Sequence, residues 1–60
     1  MREKTYTIMG KYRNTVEKID TAYGKNSAWY LIGEYKMAFG KDWEVWAQDS
    51  KGNELTPDRE

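Results

Sequence analysis

Val16-Glu17-Lys18-Ile19-Asp20-Thr21-Ala22-Tyr23 is the stretch on which the fold of this chain turns. It carries two periods at once. Val16, Ile19 and Tyr23 follow helical spacing, and Asn14 with Glu17 matches a capping box. The alternative is a strand folded back on the residues before it. If the chain reverses at Asn14-Thr15, Ile19 faces Gly10, Thr21 faces Ile8 and Tyr23 faces Tyr6. Thr15 is β-branched and poor in the positive-φ positions of a two-residue turn, so a longer loop is compatible with the same pairing. The strand reading is preferred, because the strand before it has no other local partner.

That earlier strand is Thr5 to Arg13. Tyr6, Ile8 and Tyr12 alternate with Thr7, Lys11 and Arg13, the period of a half-buried strand. Gly10 falls on its apolar side, which implies a bulge or a large neighbour lying over the backbone. After Tyr23, Gly24-Lys25-Asn26 reads as a turn and Asn26 or Ser27 as a helix N-cap. From Ala28 to Phe39 the spacing predicts a helix. Ala28, Leu31, Ile32, Tyr35, Ala38 and Phe39 fall within an arc of about 120°, and Gly40 is suited to end it. Trp43 to Gln48 reads as a strand with Trp43, Val45 and Ala47 on one side and Glu44, Trp46 and Gln48 on the other. Asp49 to Asn53 is a turn, Glu54-Leu55 is compatible with a brief fourth strand, and residues 56–60 are expected to fray.

The order is therefore ββαβ in one small α+β domain covering residues 1–60, with its ordered core at about 5–48. Three strands form an antiparallel or mixed sheet, and one amphipathic helix covers one side. A right-handed crossover through that helix gives the strand order 2-1-3. The segment Glu34-Tyr35-Lys36-Met37-Ala38-Phe39-Gly40, followed by Asp42-Trp43-Glu44-Val45-Trp46, resembles short uncharacterised bacterial and phage proteins. In these a helix ending in Ala-Phe-Gly precedes a Trp-rich strand. The resemblance covers residues 6–46, implies a strand-strand-helix-strand fold, and brings no assigned activity and no functional residue.

Composition narrows the chemistry. The chain has 60 residues and neither Cys nor His, which excludes disulfides, thiolate metal sites and the usual nucleophile–base triads. A chain of this length buries only about 60% of its unfolded surface, and its core rarely supplies more than roughly 3–5 kcal/mol. Three Trp, five Tyr and one Phe supply the compensation, since each packed ring buries about 150–250 Å². Ten basic residues balance ten acidic ones, which argues against strong, unspecific attraction to nucleic acid or anionic lipid. Arg2, Lys4, Lys11 and Arg13 near the start and the acidic residues after position 41 are expected to meet and neutralise one another. No membrane span or secretory signal is read, so the expected compartment is the cytoplasm.

The five glycines fit neither a phosphate-cradling loop nor a dinucleotide fingerprint. Asp42 and Glu44 read as solvated carboxylates rather than an acid–base pair. No catalytic, cofactor-binding or metal-binding residue is assigned, and no small-molecule substrate is expected. What invites a functional reading is Trp46, which points away from Trp43 and Val45 in a regular strand. With Met9, Lys11 and Arg13 it forms a candidate interaction face on the uncovered side of the sheet, beside Thr7 and Val16. The expectation is a non-catalytic interaction or adaptor module acting on another protein or on a second copy of itself. The alternative is weak binding of single-stranded nucleic acid through Lys11, Arg13, Lys18 and Trp46 on the same open sheet face. The structural counter-expectation is that the segment around Leu55 covers Trp46.

Overall fold

A hairpin, a crossover helix and a returning strand account for the described part of the chain. The computed structural model describes residues 4–55. Strand β1 spans Thr5–Tyr12, β2 Thr15–Tyr23, helix α1 Lys25–Phe39 and β3 Trp43–Gln48. Both ladders are antiparallel and the strand order is β2-β1-β3. The ambiguous stretch is thus a strand, and the α+β arrangement is the expected one. The short fourth strand reduces to one bridge between Gln48 and Glu54, next to which the Leu55 N–H donates to the Ala47 carbonyl at 2.7 Å. The tail expected to fray, residues 56–60, lies outside the described residues.

The core lies between the sheet and α1. Tyr6, Ile8, Ala22, Ala28, Ile32, Val45 and Ala47 are buried, and Ile19, Trp29, Leu31, Tyr35, Trp43 and Leu55 pack around them. Three of the buried residues are alanines, one on each of β2, α1 and β3, so the helix backbone can approach the sheet closely. The larger rings then seal the perimeter of a core in which, among the described residues, only Ile8 is a large, fully buried side chain. Ala38, expected in the apolar arc, is exposed, and Phe39 is only partly covered. Trp29 packs there instead, so the buried stripe is rotated toward β3.

The hairpin differs from expectation in a way that repositions every β2 side chain. The turn is Arg13-Asn14, one residue earlier than Asn14-Thr15, and Tyr12 pairs with Thr15. Arg13 takes a φ of 59° to make it. Gly10 pairs with Glu17 rather than Ile19, and Ile8 with Asp20 rather than Thr21. Between the Ile8–Asp20 and Met9–Lys18 pairs the register slips, leaving Ile19 as the extra residue of a β-bulge. Beyond the bulge Tyr6 pairs with Ala22, which is buried, and Tyr23 turns outward, 65% exposed. The physical reason lies in the spacing. Ile19 and Ala22 are three apart and cannot share one side of a regular strand, whereas one inserted residue lets both face the helix.

The same slip brings Asp20 to the helix side of the sheet, where it is not left unsatisfied. Its carboxylate accepts the Thr21 N–H at 2.7 Å and the Tyr35 hydroxyl at 2.8 Å. Those two bonds hold the Asp20 carboxyl below the usual carboxylate range, and donating to it raises the Tyr35 phenol above its ordinary value. This contact ties α1 to β2.

The helix begins earlier than its side chains suggest. Neither Asn26 nor Ser27 caps it; Gly24 does, at φ 95° and ψ 156°, with no side-chain cap. Its N–H donates to the Lys4 carbonyl at 2.8 Å, and its own carbonyl accepts the Ala28 N–H at 3.1 Å. Only glycine adopts that backbone region without strain. At the other end Gly40 terminates α1 as expected, donating to the Lys36 carbonyl at 3.0 Å.

Candidate interaction face

The side of the sheet away from α1 follows directly from the register. Residues opposite one another share a side, and sides alternate along each strand. Since Tyr6, Ile8, Val45 and Ala47 face the core, the other side carries Thr7, Met9 and Lys11 from β1. It also carries Val16, Lys18 and Thr21 from β2, and Glu44, Trp46 and Gln48 from β3. No described element lies over it.

Met9 and Trp46 stand directly opposite one another across the β1–β3 ladder, and both are half-buried. The indole N–H of Trp46 donates to the Gln48 side-chain carbonyl at 3.4 Å, which orients the ring along its strand. Leu55 does not close over this side. It pairs with Ala47, whose side chain faces the core, and packs there. Lys11 lies opposite Glu44 on one flank and Val16, half exposed at 50%, on the other. The Lys11–Glu44 pair is where the basic first strand meets the acidic third.

Arg13 departs from this set. Its guanidinium carbon sits 5.3 Å from the centroid of the Tyr12 ring, in cation–π range. Tyr12 in turn stacks on Trp43 at 5.3 Å, and Trp43 meets Phe39 at 4.7 Å. Phe39 meets Tyr35 at 5.6 Å. Arg13 therefore ends an aromatic row on the helix side instead of flanking Trp46. Only Met9, Lys11 and Trp46 of the four candidates are brought together.

Sequence reasoning missed Tyr23, whose pairing with Thr5 puts it on the side away from α1. The bulge at Ile19 produced that change; Gly10 and the three-residue spacing of Ile19 and Ala22 are its signals in the sequence. Two surface depressions were also unforeseen. One, of about 380 Å³, lies at the start of α1 between Lys4, Tyr6, Tyr23 and residues 24–27. The other, of about 230 Å³, runs between α1 and the outer edge of β3, lined by Trp29, Ile32, Lys36, Val45, Trp46, Glu54 and Leu55. Among the described residues no group of three carboxylates is placed to hold a metal ion, and no helix is long and apolar enough to cross a membrane. No protein-family model, curated protein or solved structure matches the chain.

Proposed function

We propose that the protein is a small non-catalytic interaction module whose contact surface is the helix-free side of the sheet, centred on Met9 and Trp46. The observation that carries this reading is their direct cross-strand pairing on a side that no described element covers. Trp, Tyr, Met and Arg are the residue types enriched where proteins meet, and a rigid indole beside a flexible thioether adapts to more than one partner shape. Lys11 and Glu44 at the rim give the patch both charges, which favours orientation of a protein partner over capture of a polyanion.

Size decides the class of complex. Three strands spaced about 4.8 Å apart and six residues long present a plane of roughly 300 Å². That is well short of the ~800 Å² per partner of a stable interface. The contact is therefore transient, or the partner reaches beyond the sheet. The nucleic-acid alternative loses support because Arg13 lies over Tyr12 and Lys11 faces Glu44.

A photo-crosslinking residue at position 9, with a control at position 34 on the exposed side of α1, tests the proposal in cells producing the chain. A discrete protein adduct from position 9 that disappears on Trp46→Ala, with the fold intact by circular dichroism, supports it. Equal adducts from both positions, or none from position 9, would overturn it.

A further inference from the structure

The outer face of α1 carries the two most exposed large apolar side chains among the described residues, Met37 at 83% and Tyr30 at 66%. Between them lies Gly33, where an added Cβ would meet nothing within 4 Å. Glycine in a helix interior is unfavourable, and no packing among the described residues requires one at this position. Asn26, Tyr30, Gly33 and Met37 are all exposed. At 3.6 residues per turn they fall within about 60° of one another, on the side away from the buried Ala28 and Ile32. Their spacing of four, three and four residues is that of a seam between two packed helices.

We infer that this seam pairs with the same seam of a second copy of the chain. The two helices run antiparallel, and Tyr30 of each chain fills the space over the partner's Gly33. A two-fold axis passing between residues 31 and 32 sends residue 30 opposite residue 33 and residue 26 opposite residue 37. Every seam residue then meets another seam residue, which is the condition for an isologous contact. The ring and the gap that receives it lie on one stripe, so the fitting occupant is the chain itself.

Charge agrees with this pairing. Glu34 and Lys36 stand on opposite flanks of the seam. The two-fold brings Lys36 beside the indole of the partner's Trp29, a cation–π arrangement, and Glu34 beside the partner's Ser27. Neither charge meets its own counterpart. Antiparallel helices also place the positive end of each dipole beside the negative end of the other.

Area sets the strength. A packed tyrosine ring buries about 150–250 Å², and with Met37 each copy covers roughly 400 Å², half of the ~800 Å² per partner of a stable interface. The dimer is therefore weak and depends on concentration. It layers sheet, helix, helix and sheet, so both helix-free sheet sides stay outward, and the inference does not rest on the Met9–Trp46 patch. A cross-link from position 34 would join two copies at twice the chain mass, which sets it apart from a contact with another protein.

The test is NMR dilution of the full ¹⁵N-labelled chain from about 2 mM to about 20 µM, the range that brackets a weak dimer. Wild type is compared with Gly33→Ala, whose added methyl enters open space in the single chain and so leaves its fold intact, and with Tyr30→Ser. Shifts that move with concentration should cluster at Tyr30, Gly33, Glu34 and Met37, and dissociation should be at least fivefold easier in both variants. In a mixture of ¹³C-labelled and unlabelled chains, an intermolecular cross-peak should link the Tyr30 ring to the Gly33 α-protons. A chain still monomeric at the highest concentration, shifts centred on Met9 and Trp46, unchanged dissociation in either variant, or a dimer without that cross-peak would overturn the inference.

Discussion

Ile19, the extra residue of the β2 bulge, lies over Gly10 so closely that a Cβ on residue 10 would stand 2.5 Å from the Ile19 Cδ1. Two ring carbons of Trp43 approach the same point at 3.2 Å. The glycine, the bulge and the indole thus form one packing unit, in which Gly10 leaves the space that the other two fill. Gly10→Ala should therefore cost about 1–3 kcal/mol by overpacking. Gly33 is the control, since nothing lies within 4 Å of its added Cβ. Gly33→Ala should stabilise α1 by about 0.5–1 kcal/mol. Urea unfolding of the two variants should move the midpoint in opposite directions.

Among the described residues, Ile8 is the only large side chain that is fully buried. Removing its outer carbons in Ile8→Ala should cost about 2–5 kcal/mol. A domain of this size rarely has more than roughly 3–5 kcal/mol to lose. Circular dichroism at 25 °C should show Ile8→Ala substantially unfolded where wild type is folded.

The Asp20–Tyr35 hydrogen bond makes stability depend on pH at both ends of the scale. The folded-state pKa of Asp20 is lowered, so its contribution is present above the unfolded carboxylate pKa of about 3.9 and is lost as pH falls through the folded value. The folded-state pKa of Tyr35 is raised, so its contribution is present below about 10 and disappears as pH rises through the folded value. Tyr35→Phe should remove this alkaline contribution and shrink the acid one, leaving in Asp20 the part due to the Thr21 N–H, beside the separate contribution of Asp49, whose carboxyl is lowered by the Asn53 and Lys51 N–H groups. Thermal melts from pH 2 to pH 11 measure both.

Gly24 combines a φ of 95° with an N-cap position and two backbone hydrogen bonds. Gly24→Ala should cost about 1–3 kcal/mol through backbone strain, while Asn26→Ala and Ser27→Ala should cost a few tenths at most, since neither caps the helix. Melting temperatures of the three variants rank them.

The order of elements was legible in the sequence because it follows from two robust signals. The helical spacing of Ala28 to Phe39 requires a crossover, and a hairpin is the simplest partner for Thr5 to Tyr12. The details that escaped are those where residues compete for one role. Asn14 tolerates positive φ better than Arg13, yet the turn uses Arg13, because Tyr12 then pairs with Thr15 and Ile19 can bulge over Gly10. Asn26 and Ser27 are better side-chain caps than Gly24, yet only glycine fits where the chain leaves β2 and bonds back to Lys4. Asp20 reaches the helix side, beside the Tyr35 hydroxyl, only through the slip at Ile19. At the candidate face, alternation alone placed Met9, Lys11 and Trp46 together. Arg13 was lost because a turn residue with positive φ no longer follows the strand's alternation.

One side of the sheet is sealed by α1, while Met9 and Trp46 stand paired and half-buried on the other. Proton NMR of the full chain in the presence of a soluble paramagnetic relaxation agent tests this most directly. The side-chain signals of Met9, Lys11 and Trp46 should broaden markedly, those of Ile8, Ala28 and Ile32 should stay sharp, and a cross-peak should link the Met9 methyl to the Trp46 indole. Sharp Met9 and Trp46 signals beside broadened Ile8 and Ile32 signals would contradict the account.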